Sequence, residues 1–191
     1  MRKLILSANI TLDGYMAGEY GELDWHFSHW NGELMESALE QLRGIDTILV
    51  GRVAYESMSL HWPTAERNRM NSPSEAEFAQ TMNRLQKIVF SKTLNKTSWN
   101  NSTLMDEIDP MEIQKLKRQQ GKDMIIWGGV TLVSAFLEKK LFDEYRISIA
   151  PIVIGKGISI SKEITRGLRL KLLHTRVFSN GVVTMTYRNR D

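Results

Sequence analysis

Several features that would identify particular classes of protein are missing from this sequence of 191 residues. It contains no cysteine, so its residues can form no disulfide bond, thiolate zinc site or cysteine nucleophile. No apolar run approaches the roughly 18 to 20 residues that a transmembrane helix needs. The first apolar run meets Asn9 and Asp13 too soon for a signal peptide. We therefore expect a cytoplasmic protein that makes no contact with a membrane.

A large excess of charge of one sign is missing too. The 25 Lys and Arg residues stand among 22 Asp and Glu residues, which leaves a net charge of +3 and a pI near 9.1. The densest basic segments, residues 115–118 and 166–171, lack the interleaved aromatic residues on which nucleic-acid bases stack. We therefore expect no nucleic-acid partner. Because no linker or repeat interrupts the chain, one domain over residues 1–191 is expected.

The stretch from residue 123 to residue 137 predicts a buried strand that leads directly into a helix. Its first part, residues 124–127, is a short apolar run, and the apolar residues after it fall at helical spacing. Gly128 and Gly129 stand at the junction, where the lack of a Cβ permits a close backbone approach. Free N–H groups at the start of such a helix favour an anion such as phosphate. A tight turn without a ligand would use the same residues.

Polar residues also follow two other predicted strands. Residues 45–50 lead into Gly51 and Arg52, and residues 87–90 lead into a second polar turn formed by Ser91, Lys92 and Thr93. Arginine can hold a phosphate through two parallel hydrogen bonds. Open α/β sheets bind ligands at the carboxyl ends of their strands. Together with the glycine pair, these turns predict one nucleotide site along the edge of a mostly parallel sheet.

The rest of the pattern predicts helices between the strands. One helix begins after Asn31 and ends near Gly44, a short helix follows Arg52, and another begins after Asp109 and runs to about residue 120. Residues 61–74 are expected to form a loop. The next helix is expected over residues 74–85, begun by a capping box of Ser74 and Glu77.

The last part of the chain predicts antiparallel strands. Residues 168–178 and 182–187 alternate about Ser179, Asn180 and Gly181, which is a strong hairpin signal. A strand before them, over residues 144–154, contains Pro151, which favours a sheet edge or a bulge. The expected fold is therefore α/β, with helices on both faces of a mostly parallel central sheet and an antiparallel hairpin at the C-terminus.

The segment after the first strand, residues 11–21, contains three glycines and predicts a mobile loop. The spacing of Asp24, His26 and His29 resembles a metal-ligand pattern, but no further strong ligand group lies nearby. We therefore expect no metal site and assign both histidines to packing or to the solvated surface. Three nearby aromatic residues, Trp25, Trp30 and Trp62, could line a pocket for a flat ring, although packing would use tryptophan in the same way.

Taken together, these segments resemble the dihydrofolate reductase-like fold, and within it the C-terminal reductase domain of the bifunctional riboflavin-biosynthesis deaminase/reductase. The similarity covers nearly the whole chain in matching order. It is carried by residues 11–17, 50–56, 91–94, 128–132, 141–144, 150–157 and 179–183. The fused zinc deaminase needs a Cys-x-x-Cys pair, so the cysteine-free chain resembles a stand-alone reductase.

This resemblance implies an NADPH-dependent reductase of a small heterocyclic or carbonyl substrate, and a homodimer in which the strand with Pro151 is a candidate contact. It implies that Arg52, with Gly51, and the turn of Ser91, Lys92 and Thr93 face the adenosine 2′-phosphate. Gly128 and Gly129, with Leu132, would face the pyrophosphate, and Ala8 and Ala17 the nicotinamide.

The resemblance is less informative about the proton donor. Asp13 matches the loop aspartate of the family and is our candidate for the polar residue nearest the substrate, although it could instead cap its own turn. Where the riboflavin-pathway reductases typically have glutamate before the glycine pair, this chain has Trp127. Glu33 and Glu36 lie on the first long helix and are expected on its solvated face. A catalytically inert relative or sensor that binds NADPH without turnover is therefore the alternative.

Overall fold

The structure, a computed structural model, describes residues 1–161 and 167–190. Its strands are β1 (Leu4–Thr11), β2 (Tyr15–Ala17), β3 (Ile45–Gly51), β4 (Gln86–Phe90), β5 (Ser102–Met105), β6 (Asp123–Trp127), β7 (Glu144–Ala150), β8 (Ile158–Ser159), β9 (Leu170–Val177) and β10 (Val183–Asn189). Its helices are α1 (Asp24–His29), α2 (Gly32–Arg43), α3 (Arg52–Arg67), α4 (Pro73–Arg84), α5 (Pro110–Arg118) and α6 (Val130–Glu138). No helix in these described ranges is long and apolar enough to cross a membrane.

Eight of the strands form one sheet in the order β5-β4-β3-β6-β1-β7-β10-β9. The first six of these pair in parallel, and β10 is antiparallel to both of its neighbours. One face packs against α5 and α6, and the other against α2, α3 and α4, each through its own apolar cluster. The expected three-layer α/β/α architecture with an antiparallel C-terminal hairpin is confirmed.

Local signals set several of the helix ends. The side chain of Asn31 accepts a hydrogen bond from Leu34 N at 3.0 Å, and that of Asp109 accepts one from Met111 N at 2.9 Å, as expected of N-caps. The predicted capping box was wrong by two residues. Ser72 and Glu75 form it, because Pro73 occupies the first helical position, where its missing N–H costs nothing.

The loop predicted over residues 61–74 was wrong in its first half. α3 continues to Arg67 and contains Pro63 in its interior. Trp62 explains how the helix tolerates proline, since its ring packs 5.1 Å from that of Phe78 on α4 within the apolar cluster. Tertiary packing therefore outweighs the local preference against proline.

The prediction for the strand with Pro151 was also wrong. β7 ends at Ala150 and lies between β1 and β10, so Pro151 lies beyond the strand and the strand is not at an edge. The edges of the sheet are β5 and β9. The sequence pattern also missed β5 and α1. The segment predicted as a mobile loop contains β2, which pairs with β8.

Candidate active site

The parallel strands bring three predicted polar turns to one edge of the sheet. β4, β3 and β6 are consecutive neighbours, Gly51 pairs with Phe90, and Leu49 pairs with Ile126. The residues that follow these strands therefore lie side by side. Arg52, Ser91 and Gly128 share one edge of the molecule, as the predicted nucleotide site requires.

Two helices begin at this edge with glycine caps. Gly51 precedes α3 and Gly129 precedes α6, and neither helix start receives a side-chain capping hydrogen bond. A Cβ on Gly51 would lie 3.7 Å from the Cβ of Leu132, and one on Gly129 would lie 3.9 Å from the Cβ of Ala54. The two helix starts are thus in close contact, and their first N–H groups are left for an external acceptor.

The glycine pair before α6 has a backbone that favours glycine. Gly128 and Gly129 have φ angles of +78° and +82°. A Cβ built on Gly128 would meet no atom within 4 Å. The junction therefore combines an unusual backbone with open space in front of an uncapped helix. A pyrophosphate fits such a site, because its oxygens accept hydrogen bonds from backbone N–H groups.

Arg52 lies at the start of α3, with its side chain 45 % exposed. Its Nη1 donates to Glu56 Oε2 at 2.9 Å and to Oε1 at 3.2 Å. This pair leaves the other guanidinium nitrogens able to hold a phosphate, but it also places a carboxylate close to the expected 2′-phosphate. In the neighbouring turn, Ser91 Oγ accepts a hydrogen bond from Leu94 N at 2.9 Å, while Lys92 and Thr93 are exposed.

Three predicted cofactor residues have buried side chains. Ala8, Ala17 and Leu132 are only 2 %, 5 % and 5 % exposed, and Ala8 and Leu132 belong to the apolar cluster beneath α6. Ala8 and Ala17 therefore have almost no surface accessible to a ligand in this structure.

Asp13 connects the first loop to the segment after β7. Its carboxylate accepts hydrogen bonds from Gly155 N at 2.8 Å, from Ile154 N at 3.2 Å and from the hydroxyl of Thr11 at 2.6 Å. The Thr11 hydrogen bond, followed by those of the two backbone N–H groups, lowers the pKa of this exposed carboxyl. Asp13 is therefore ionised near neutral pH and can stabilise positive charge, but it is a poor proton donor.

A cleft lies between the sheet and the helices α1 and α2. Its two adjoining parts each have a cavity volume of about 20 Å³. Trp30, Leu34, Asn9 and Ser148 line both parts. Trp25 lines one part and Trp127 the other. Trp62 is partly buried against the apolar cluster and is not among the lining residues.

Trp25 has an unsatisfied polar atom. The residue is 7 % exposed, and its indole Nε1 is buried with no hydrogen-bond partner in the described part of the chain. Leaving a buried donor unpaired costs roughly 1–3 kcal/mol.

The histidines of α1 also line the cleft, which sequence reasoning missed. His29 Nδ1 lies 2.7 Å from Trp25 O, and the ring of His26 packs against that of Trp30 at 5.4 Å between centroids. Burial, and to a lesser degree the neighbouring His29, lowers the pKa of His26. The three-residue spacing between His26 and His29 could have indicated a shared site, because in a helix it places both rings on one face. The six-residue helix was not recognised, since no side chain caps it.

The turn of the C-terminal hairpin holds both helices over the cleft. The carboxylate of Glu33 on α2 accepts hydrogen bonds from Ser179 N at 2.9 Å and Ser179 Oγ at 2.7 Å. Asn180 Nδ2 donates to His29 O at 2.7 Å. Glu33 therefore lies at the surface, as expected, and also holds the hairpin turn, whereas Glu36 is exposed without such a bond being seen among the described residues.

Comparison with known proteins agrees with this architecture. The family model of the RibD C-terminal domain matches residues 2–184. The uncharacterized protein YyaP of Bacillus subtilis (strain 168) is 33 % identical over 189 residues, which cover 97 % of this chain and 94 % of YyaP.

Three solved structures share the fold. A putative riboflavin biosynthesis protein from Shewanella sp. PV-4 superposes with a TM-score of 0.73 at 22 % identity, over 99 % of both chains. The Thermotoga maritima diaminohydroxyphosphoribosylaminopyrimidine deaminase/5-amino-6-(5-phosphoribosylamino)uracil reductase gives 0.68 at 16 % identity, over 99 % of this chain and 57 % of that one. Dihydrofolate reductase from Enterococcus faecalis, complexed with NADP(H), gives 0.63 at 14 % identity, over 99 % of this chain and 97 % of that one.

Proposed function

Since the chain belongs to the family of the RibD C-terminal domain, we propose that it is an NADPH-dependent reductase that transfers hydride to a small heterocyclic or carbonyl substrate. The observation that carries this proposal is the shared edge, where the turns after β3, β4 and β6 come together beside two helices without side-chain caps. A dinucleotide needs such a row of N–H groups for its phosphates.

In this proposal each part of the edge has its own task. Gly128 and Gly129 at the start of α6 hold the pyrophosphate. The 2′-phosphate is bound by Arg52 beside Gly51 and by the turn of Ser91, Lys92 and Thr93. Ala8 and Ala17 border the nicotinamide, which supplies hydride to the substrate when bound. Asp13, held by Ile154 and Gly155, is the proposed polar residue nearest the substrate.

Arg52→Ala tests the assignment of the 2′-phosphate. Because the guanidinium would make charge-assisted hydrogen bonds to that group, we expect the variant to lose roughly 1.5–3 kcal/mol of NADPH affinity, about 10- to 150-fold. NADH lacks the 2′-phosphate and should lose little. Titration of each nucleotide against the purified chain, followed by nucleotide fluorescence, measures both affinities.

Arg43→Ala is the matched control, because Arg43 pairs with Glu77 at 3.7 Å and stands at the end of α2, before β3 begins. It should leave NADPH affinity unchanged. Equal losses of NADPH and NADH in Arg52→Ala would remove Arg52 from the 2′-phosphate site. Failure of the unmodified chain to bind NADPH would reject the reductase proposal itself.

A sensor or inert relative that binds NADPH without turnover is the second candidate. It is favoured by Trp127, which stands before the glycine pair and cannot exchange a proton as a carboxyl group does. NADPH oxidation assayed with dihydrofolate, the aminouracil ribosyl phosphate and simple carbonyl compounds distinguishes the two candidates. Binding without oxidation in any of these assays would favour the sensor. For either candidate we propose a homodimer.

A further inference from the structure

The lining of the cleft fits one class of substrate. Its aromatic side chains include Trp25, Trp30 and Phe178, and Asn9 and Ser148 add uncharged polar groups. Among the lining residues, only the two histidines of α1 can carry a charge. A flat, neutral ring that bears carbonyl or imine groups matches this lining, because the ring stacks on aromatic side chains while its heteroatoms accept hydrogen bonds.

His29 is oriented by a bond of its own helix. The carbonyl oxygen of Trp25 can only accept a hydrogen bond, so the Nδ1 atom 2.7 Å away carries a proton. The other ring nitrogen, Nε2, has no hydrogen-bond partner among the described residues and is free to donate a proton to a bound group. An imidazole fixed at one nitrogen and free at the other has the arrangement of a general acid.

We propose that the cleft receives the C=O or C=N group of the substrate, and that Nε2 of His29 donates the proton that the reduction requires. This inference rests on the proposed reductase function. The carbon of the C=O or C=N bond accepts a hydride from the reduced nicotinamide coenzyme, which is thereby oxidised. The π electrons of that bond move to the heteroatom, which takes the proton of the His29 imidazolium. Solvent then protonates the imidazole again.

His26 is less suited to this role. Its ring is packed against Trp25, Phe27 and Trp30, and burial lowers its pKa, so it is mostly neutral near pH 7. The charged groups on α1 and α2 are Asp24, Glu33, Glu36, Glu40 and Arg43. Ser179 donates to Glu33, and Arg176 of β9 pairs with Glu40.

NMR spectroscopy of the full chain tests the binding part without any turnover. Uracil serves as a flat, neutral, dioxo probe, and NADPH is titrated separately. We expect uracil to shift the indole N–H of Trp25 and the ring signals of His29. The indole N–H of Trp99 should stay unchanged, because it donates to Asn83 Oδ1 at 2.7 Å in the core. Shifts at Gly128 and Gly129 with NADPH, without any effect of uracil on Trp25 or His29, would overturn this inference and leave the proposed function intact.

Kinetics of His29→Gln test the proton donor. With whichever compound of the reductase assay is reduced, we expect kcat to fall about 10²- to 10⁴-fold while NADPH affinity is retained. The pH dependence of kcat in the unmodified chain should be lost in His29→Gln. His61→Gln on α3, where His61 is exposed, is the matched control and should keep full activity. Retention of kcat by His29→Gln, or the absence of turnover with every compound that shifts Trp25 and His29, would overturn the assignment.

Discussion

Lys87 shows how burial of one residue sets a pH dependence of the whole chain. It is 1 % exposed, its ammonium group donates to Asn83 O at 2.6 Å and Asn100 O at 3.2 Å, and it lies 4.1 Å from the ring centre of Trp99. Burial lowers the pKa of Lys87 to about 8 from 10.5. Between these values the unfolded chain holds a proton that the folded chain has released, so stability rises with pH in that window.

Lys87→Met should remove this rise. The free energy of unfolding of the unmodified chain is expected to gain roughly 3 kcal/mol from Lys87 between pH 8 and pH 10.5. The variant lacks the two hydrogen bonds of Lys87 at every pH, so their loss lowers its free energy of unfolding by an amount that does not depend on pH. Denaturant unfolding at pH 7.5, 9 and 10.5 gives the difference, with Lys171→Met at an exposed site of β9 as the control. Parallel curves for the Lys87 variant and the unmodified chain would contradict the assignment.

The structural role of a residue could be predicted where it depends on its neighbours in the sequence. Asn31 and Asp109 were recognised as caps, because an N-cap acts on N–H groups two or three residues away. The roles of His29 and Glu33 were not recognised, because their partners or neighbours include Asn180 and Ser179 in a hairpin about 150 residues later. Nothing within the local sequence of α1 specifies that contact.

At the scale of elements, the junction between β6 and α6 offers a direct test of the nucleotide site. Gly128 has a φ of +78°, and its added Cβ would meet no protein atom within 4 Å. We expect Gly128→Ala to cost about 1–2 kcal/mol of stability through backbone strain alone. We also expect NADPH affinity to fall by about tenfold or more, roughly 1.4 kcal/mol, because the methyl group enters the space for the pyrophosphate.

Gly21→Ala is the matched control for this experiment. Gly21 has a φ of +93° and equal space around its missing Cβ, but it lies in the loop before α1. Both variants should unfold at lower temperature than the unmodified chain, and only Gly128→Ala should bind NADPH less tightly. If both variants keep the full affinity, the pyrophosphate does not lie against α6.

Helices and strands could be predicted where their pattern of apolar residues extends over enough of the chain. The strands next to the glycine turns and the helix α2 followed from their apolar patterns. α1 has only six residues, fewer than two helical turns, and Leu23 before it provides no side-chain cap. The continuation of α3 through Pro63 depends on Trp62 and Phe78, which approach only in the folded chain.

At the scale of the whole molecule, the order and parallel direction of the strands determine where the proposed nucleotide site lies. The sequence indicated which turns carry polar groups, and the general rule on strand ends predicted their common edge. The order β4-β3-β6-β1 brings those turns together. The cleft, by contrast, could not be predicted, since it is made by α1, α2, β1, β7 and the C-terminal hairpin at once.

The edges of the sheet provide the remaining prediction, which concerns the proposed homodimer. β9 is an outer strand with three exposed apolar residues, Leu172, Leu173 and Val177, at 51 %, 48 % and 69 % exposure. The register of β9 shifts beside Leu173, and Leu172 and Val177 then oppose Tyr187 and Val183 of β10. Val183 and Tyr187 are four residues apart on β10, so their side chains lie on the same face of the sheet. Residues that oppose each other on neighbouring strands share a face, so Leu172 and Val177 also lie on one face.

Such an apolar edge is a site of association unless a second chain covers it. We expect the unmodified chain to sediment as a dimer, and the double variant Leu172→Glu, Val177→Glu to sediment as a monomer with retained NADPH binding. Leu60→Glu, at a 77 % exposed position of α3, is the control and should remain dimeric. The double variant should be monomeric because carboxylates buried between two copies would lose their solvation. A dimer that persists in the double variant would place the interface away from β9, and a monomeric unmodified chain would reject the homodimer.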